Sequence, residues 1–189
     1  LAKDCYDKAI KIKSDFPDAY WNKSLSQLTL GEFEEGWKNY EYRFKLPNAK
    51  TEFFKLPRLE SLQNINKKKI LIWSEQGLGD AIQFCRYINK IIDLGAVVTF
   101  DTSKTLADLM SRQFNCVVNE TGKGIVVNKV DYQVPLLSLP MLFNTNLSNI
   151  PSQNSYIKTS KTKDEAWFKK LNLTRQKLNI AITCAGNPK

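Results

Sequence analysis

Apolar side chains recur at three- and four-residue intervals through the first 45 positions, and that spacing predicts helices. Ala2, Cys5, Ala9 and Ile12 form one stripe, Trp21, Leu25 and Leu28 a second, and Phe33, Trp37, Tyr40 and Phe44 a third. Lys8, Lys11, Glu34, Lys38 and Glu41 fall on the opposite faces. Ser14-Asp15-Phe16-Pro17-Asp18 separates the first two helices, with Pro17 suited to a first helical position. Gly31 permits a left-handed turn between the second and third. The third stripe reads as core, not as a platform for stacking sugars.

Residues 46–66 carry Pro47 and Pro57 among polar residues and read as a connector, which Phe53 and Phe54 pin to a surface. From Lys69 the periodicity changes. Ile70-Leu71-Ile72-Trp73 is a short continuous apolar run, as expected of a strand buried on both faces. Residues 80–94 predict an amphipathic helix ending at Gly95, then Val97 to Phe100 a strand and residues 103–113 a helix. Cys116 to Val118, Ile125 to Val127 and Tyr132 to Val134 are further strand candidates. Leu136 to Phe143 reads as a short helix or turn, residues 162–171 as a helix, and Leu178 to Cys184 as a last strand. Alternating strands and helices imply the α/β class, a Rossmann-like parallel sheet with helices on both faces, here preceded by an all-α segment. The predicted divisions are 1–45 helical, 46–66 connector, 67–177 sheet domain and 178–189 the beginning of another domain.

Composition narrows the chemistry. The chain has 189 residues, 42% hydrophobic and 25% charged, enough to bury a core without disulfides or metal. Histidine is absent, which excludes histidine-based triads, histidine zinc sites and imidazole switches. Cys5, Cys85, Cys116 and Cys184 are far apart with no C-x-x-C pair, as expected of reduced thiols in a cytoplasmic protein. No apolar run approaches the ~18 residues of a transmembrane segment. The net charge of +9 raises the question of nucleic acid, but 23 of the 28 basic residues are lysine, and five are arginine. Proteins that read bases or clamp phosphates rely on arginine forks, so nucleic acid is not an expected partner. No motif implies a metal or a cofactor. Lys67-Lys68-Lys69 reads as a solvated approach to the first strand.

The segment Trp73-Ser74-Glu75-Gln76-Gly77-Leu78-Gly79-Asp80-Ala81-Ile82-Gln83 carries the candidate chemistry. It reads as a buried strand, a glycine-bearing loop and a helix, at the carboxyl end of a strand where open α/β sheets bind ligands. The glycines allow backbone N–H groups close to a ligand, and a helix N-terminus favours an anion. The pattern is neither a dinucleotide fingerprint nor a P-loop. By local chemistry alone, Asp80 is equally a helix cap.

The stretch from Lys69 to Gly95 resembles the start of the GT-B glycosyltransferase module that follows tetratricopeptide repeats in bacterial proteins, a module related to the heptosyltransferases of glycosyltransferase family nine. Asp131 to Pro140, Ile150-Pro151 with Tyr156 and Ile157, and Ala185 to Pro188 resemble later pieces in the same order. Upstream, Tyr6 to Ile12 resembles the second helix of a tetratricopeptide repeat, and Asp18 through Trp37 a full repeat. Tyr6 and Tyr40 are separated by the repeat's period of about 34 residues. The resemblance implies that Asp80 is the general base of an inverting transfer, removing the acceptor hydroxyl's proton. Gly77 and Gly79 would shape the acceptor side and Gln76 bind a sugar hydroxyl, with Glu75 a second candidate base. Arg86 reads as structural.

The implied partners are a nucleotide-sugar donor and a glycan, lipid-linked or protein acceptor, with a protein partner for the helical repeats. Ile180 to Asn187 resembles the first strand and loop of the donor half, so Gly186 and Asn187 are donor-side candidates. Since the chain opens inside a helical pattern and stops at Lys189, the expectation is an N-terminal half that transfers no sugar alone. Its last strand is expected to pair with a sheet edge or another chain. The competing expectation is a repeat scaffold whose α/β domain binds protein without catalysis.

Overall fold

The computed structural model describes residues 2–124, 129–152, 155–174, 176, 178–180 and 182. They fall into two compact units, Leu1–Tyr156 and Ile157–Lys189. The helical segment, the connector and the sheet fall in the first of these units.

Three helices open the first unit: α1 (Ala2–Ile12), α2 (Pro17–Thr29) and α3 (Phe33–Tyr40), the last running into a 3₁₀ helix over Glu41–Lys45. Pro17 occupies the first turn of α2, where its missing N–H costs nothing. Gly31 turns the chain with φ +78°. Gly36 lets α3 approach α2 closely, because a Cβ there would lie 2.8 Å from Leu28 Cδ2. Trp37 and Tyr40 are buried and meet edge to face at 5.8 Å, as the core reading of this stripe expects.

The sheet has four parallel strands in the order β3-β2-β1-β4. They are β1 (Lys69–Trp73), β2 (Val97–Thr102), β3 (Val117–Glu120) and β4 (Tyr132–Pro135). Ile70 through Trp73 are no more than 1% exposed, so β1 is covered on both faces, as its unbroken apolar run requires. Residues 125–127, a predicted strand, lie outside the described residues. The connector does not swing. Phe53 and Phe54 set their rings 5.5 and 6.2 Å from Trp73, and Pro57 to Leu59 runs along β4, exchanging backbone bonds of 2.8 and 2.9 Å with Gln133. That cover removes an exposed sheet edge. Buried Gln133 is satisfied by the Trp73 indole, which donates to its Oε1 at 2.8 Å.

The helix expected over 80–94 is two helices, α4 (Leu78–Phe84) and α5 (Arg86–Asp93). The break is a tightened turn at Cys85, whose carbonyl accepts from the Ile88 N–H three residues on. α6 (Lys104–Met110) packs against β3, and the chain after β4 forms a 3₁₀ turn and the short α7 (Leu139–Leu142).

In the second unit, α8 (Lys161–Lys170) matches the predicted helix within a residue. The strand predicted from Leu178 to Cys184 is not formed where it is described: Leu178, Asn179, Ile180 and Ile182 lie in no strand, and the three apolar side chains are exposed. An apolar run becomes a strand only when a neighbour takes its backbone donors and acceptors. Among the described residues no helix is long and apolar enough to cross a membrane.

Candidate functional site

β1 delivers the chain to the carboxyl edge of the sheet, and the loop from Ser74 to Gly77 turns it into α4. Ser74 is fixed first: its N–H donates to the Asp101 carbonyl at 2.9 Å, extending the β1–β2 ladder by one residue. Gly77 then caps α4 with an extended backbone, φ −69°. Asp80, three residues on, accepts the Gly77 N–H at Oδ2 over 3.1 Å, the carboxylate half of a capping box. Its other oxygen makes no hydrogen bond among the described residues. Asp80 is half-buried on the wall of a cleft of about 390 Å³. Phe33, Trp37 and Tyr40 from α3 line that cleft together with Gln83, Phe84 and Tyr87 from α4 and α5. Trp37 joins the walls, meeting Phe84 edge to face at 5.8 Å.

The predicted residues do not converge on one place. Glu75, expected beside the substrate, is 5% exposed and tied to Arg43, whose guanidinium donates to Glu75 Oε1 at 2.8 Å. The same guanidinium donates to Glu41 at 2.7 Å and to Ser138 Oγ at 2.9 Å, and Glu41 also pairs with Arg58. Burial pushes the Glu75 carboxyl above its usual range, against the pull of Arg43. Burial acts on Glu41 in the same direction, but two guanidinium groups outweigh it and hold that carboxyl low. Glu75 and exposed Gln76 line a second pocket that shares no residue with the Asp80 cleft.

The glycines are not demanded by the backbone. Neither Gly77 nor Gly79 has a positive φ, a Cβ on Gly79 would meet nothing within 4 Å, and one on Gly77 only Asp80 Oδ2 at 3.4 Å. Arg86 is a brace: it donates to the Pro151 carbonyl at 2.6 Å and lies 4.2 Å over the Tyr156 ring. Gly186 and Asn187 lie outside the described residues. Among the described residues no group of three or more acidic, cysteine or histidine side chains is placed to hold a metal ion.

Sequence reasoning missed the Arg43 network. The one available signal was scarcity, because a chain with five arginines that places one inside Tyr40-Glu41-Tyr42-Arg43-Phe44 sets it among groups able to pair with it.

Fold and site together define an α/β protein with a parallel sheet and an aromatic-lined cleft, between α3 and the α4–α5 pair, that carries Asp80 and Arg86. No family model matches the chain, and no solved structure matches it. Among curated proteins it is similar to Protein FlbA of Caulobacter vibrioides, 26% identical over 150 residues that cover 58% of this chain and 25% of FlbA. The chain thus spans about a quarter of that relative's length.

Proposed function

We propose that this chain is the acceptor-side half of an inverting glycosyltransferase that uses a nucleotide-sugar donor, with Asp80 as the general base. The observation that carries the reading is the Asp80 carboxylate. It stands in the first turn of α4, the helix that follows the central strand, one oxygen anchored by Gly77 and the other unbonded among the described residues, on an aromatic-walled cleft. A carboxylate oriented in this way accepts the acceptor hydroxyl's proton as that oxygen attacks the anomeric carbon. The strand order β3-β2-β1-β4 supports a Rossmann-like, GT-B-type half-module, whose ligands bind where strand order reverses. Glycines at 77 and 79 that the backbone does not need support close approach of an acceptor. The leaving nucleoside diphosphate requires positive electrostatics from a donor-side half, with Gly186 and Asn187 at its start. In this reading transfer needs that donor-side half, and the working location is the cytoplasm.

The test is transfer from a panel of nucleotide sugars by a polypeptide carrying this chain together with its donor half, wild type against Asp80→Asn. Loss of the base is expected to lower kcat by about 10²–10⁴ with the fold intact. Equal turnover removes Asp80 from the mechanism. A second reading, a tetratricopeptide-type scaffold that binds protein, is favoured by α1, which buries none of its residues and exposes Ile12. Absence of transfer with every donor, together with a protein partner bound through α1, decides for it.

A further inference from the structure

Three segments that wall the Asp80 cleft, carrying Tyr40, Leu137 and Asp80 itself, meet at one buried ion pair, Arg43 with Glu75. From the α3 side, the Arg43 guanidinium donates to the Tyr40 carbonyl at 3.1 Å and lies 4.6 Å from the centre of the Tyr40 ring. From the turn after β4, the Leu137 N–H donates to Glu75 Oε1 at 3.2 Å, and Ser138 Oγ accepts from Arg43 at 2.9 Å. The third segment is the loop that leads to Asp80. Gln76 through Gly79 are exposed, so Glu75 is the last side chain held in the interior before Asp80. Gly77, whose N–H donates to Asp80, is two residues from that anchor.

We propose that the Arg43–Glu75 pair is the positioning element of this site: it fixes the loop from Glu75 to Gly77, and with it the Asp80 carboxylate, against the Tyr40 end of α3. The inference rests on the transferase reading for what Asp80 does there. Stability is a poor account of the pair. A buried pair offsets its dehydration only when its remaining donors and acceptors are also met, and Arg43 Nε and Glu75 Oε2 have no hydrogen-bond partner. What the pair supplies is direction. A guanidinium presents its donors in a rigid plane, and here it reaches Tyr40, Glu41, Glu75 and Ser138 at once. A base must lie within hydrogen-bond reach of the proton it takes, and a displacement of about 1 Å can lower a rate about 10²-fold. Arg43 thereby governs turnover without touching substrate.

The test uses Arg43→Met combined with Glu75→Leu, which removes both charges and fills their space, so the fold survives while the directed contacts are gone. In the 189-residue chain the Gly77 amide proton resonance is expected to move toward its unbonded position while the urea midpoint recovers. In a polypeptide that also carries the donor half, the assay is release of nucleoside diphosphate from UDP-, GDP- and ADP-linked sugars, with water in the acceptor's place. Its kcat is expected to fall about 10–100-fold. Glu75→Gln keeps an acceptor for Arg43 and is expected to lose less than the double variant. Wild-type kcat in a stable double variant overturns the proposal, and an unmoved Gly77 amide overturns it without reference to activity. Glu75→Gln inactivating the protein as fully as Asp80→Asn also overturns it, since Glu75 would then take the proton itself. No release by the wild type, beside a shifted Gly77 amide, fails the transferase reading and leaves the positioning of Asp80 standing.

Discussion

Replacing Arg43 with alanine removes the cation that meets Glu75 inside the protein. The two side chains are 3% and 2% exposed, so water cannot take the guanidinium's place without opening the junction between the helical segment and the sheet. Glu41 keeps Arg58 and the Ser138 hydroxyl after the substitution, but Glu75 loses its guanidinium and keeps neutral backbone donors such as the Leu137 N–H at 3.2 Å. Breaking a buried pair from one side costs about 3–5 kcal/mol, a large part of the roughly 5–15 kcal/mol that holds a domain together. Urea unfolding followed by tryptophan fluorescence is expected to show the midpoint falling by at least about 1 M. Arg43→Met combined with Glu75→Leu removes both charges and fills the space, and is expected to recover most of the loss, because the damage comes from an unpaired charge and not from a lost attraction. An Arg43→Ala variant within about 1 kcal/mol of wild type would refute the reasoning, and so would a double variant as unstable as the single one.

The two carboxyls of this network give stability opposite dependences on pH. Glu41 is held below its ordinary 4.5, so its contribution is present above that value and fades as pH falls through the lowered one. Glu75 is held above 4.5, so the folded state keeps its proton longer and stability declines as pH rises past 4.5. Thermal melts from about pH 3 to 7 should show Glu41→Gln flattening the acid limb and Glu75→Gln the limb above it; unchanged slopes in both contradict the assignment. Gly79→Ala places a methyl in open space within α4 and is expected to leave Tm unchanged or raise stability by up to about 1 kcal/mol. A lower Tm would show that the backbone needs that glycine. Among the described thiols, exposed Cys5 is expected to alkylate first and Cys85 last, since burial pushes Cys85 up to about 12; peptide mapping after brief iodoacetamide treatment reads the order.

Local pattern alone determined the elements that depend on near neighbours. The three helical stripes, the Pro17 and Gly31 boundaries, the buried run of β1 and the helix at 161–170 were legible because periodicity and backbone restriction act within a few residues. The backbone bond that Asp80 accepts at the start of α4 was legible for the same reason, since it spans three residues. Tertiary structure decided whatever depends on partners distant along the chain. It left Leu178, Ile180 and Ile182 outside any strand, because strand formation needs a neighbour that no local pattern supplies. It also divided one motif between two cavities: Arg43, 32 positions before Glu75, turned that carboxylate inward, while Asp80 stayed on the aromatic cleft built by α3. A charge is placed by the nearest opposite charge in space, and that distance is set by the fold.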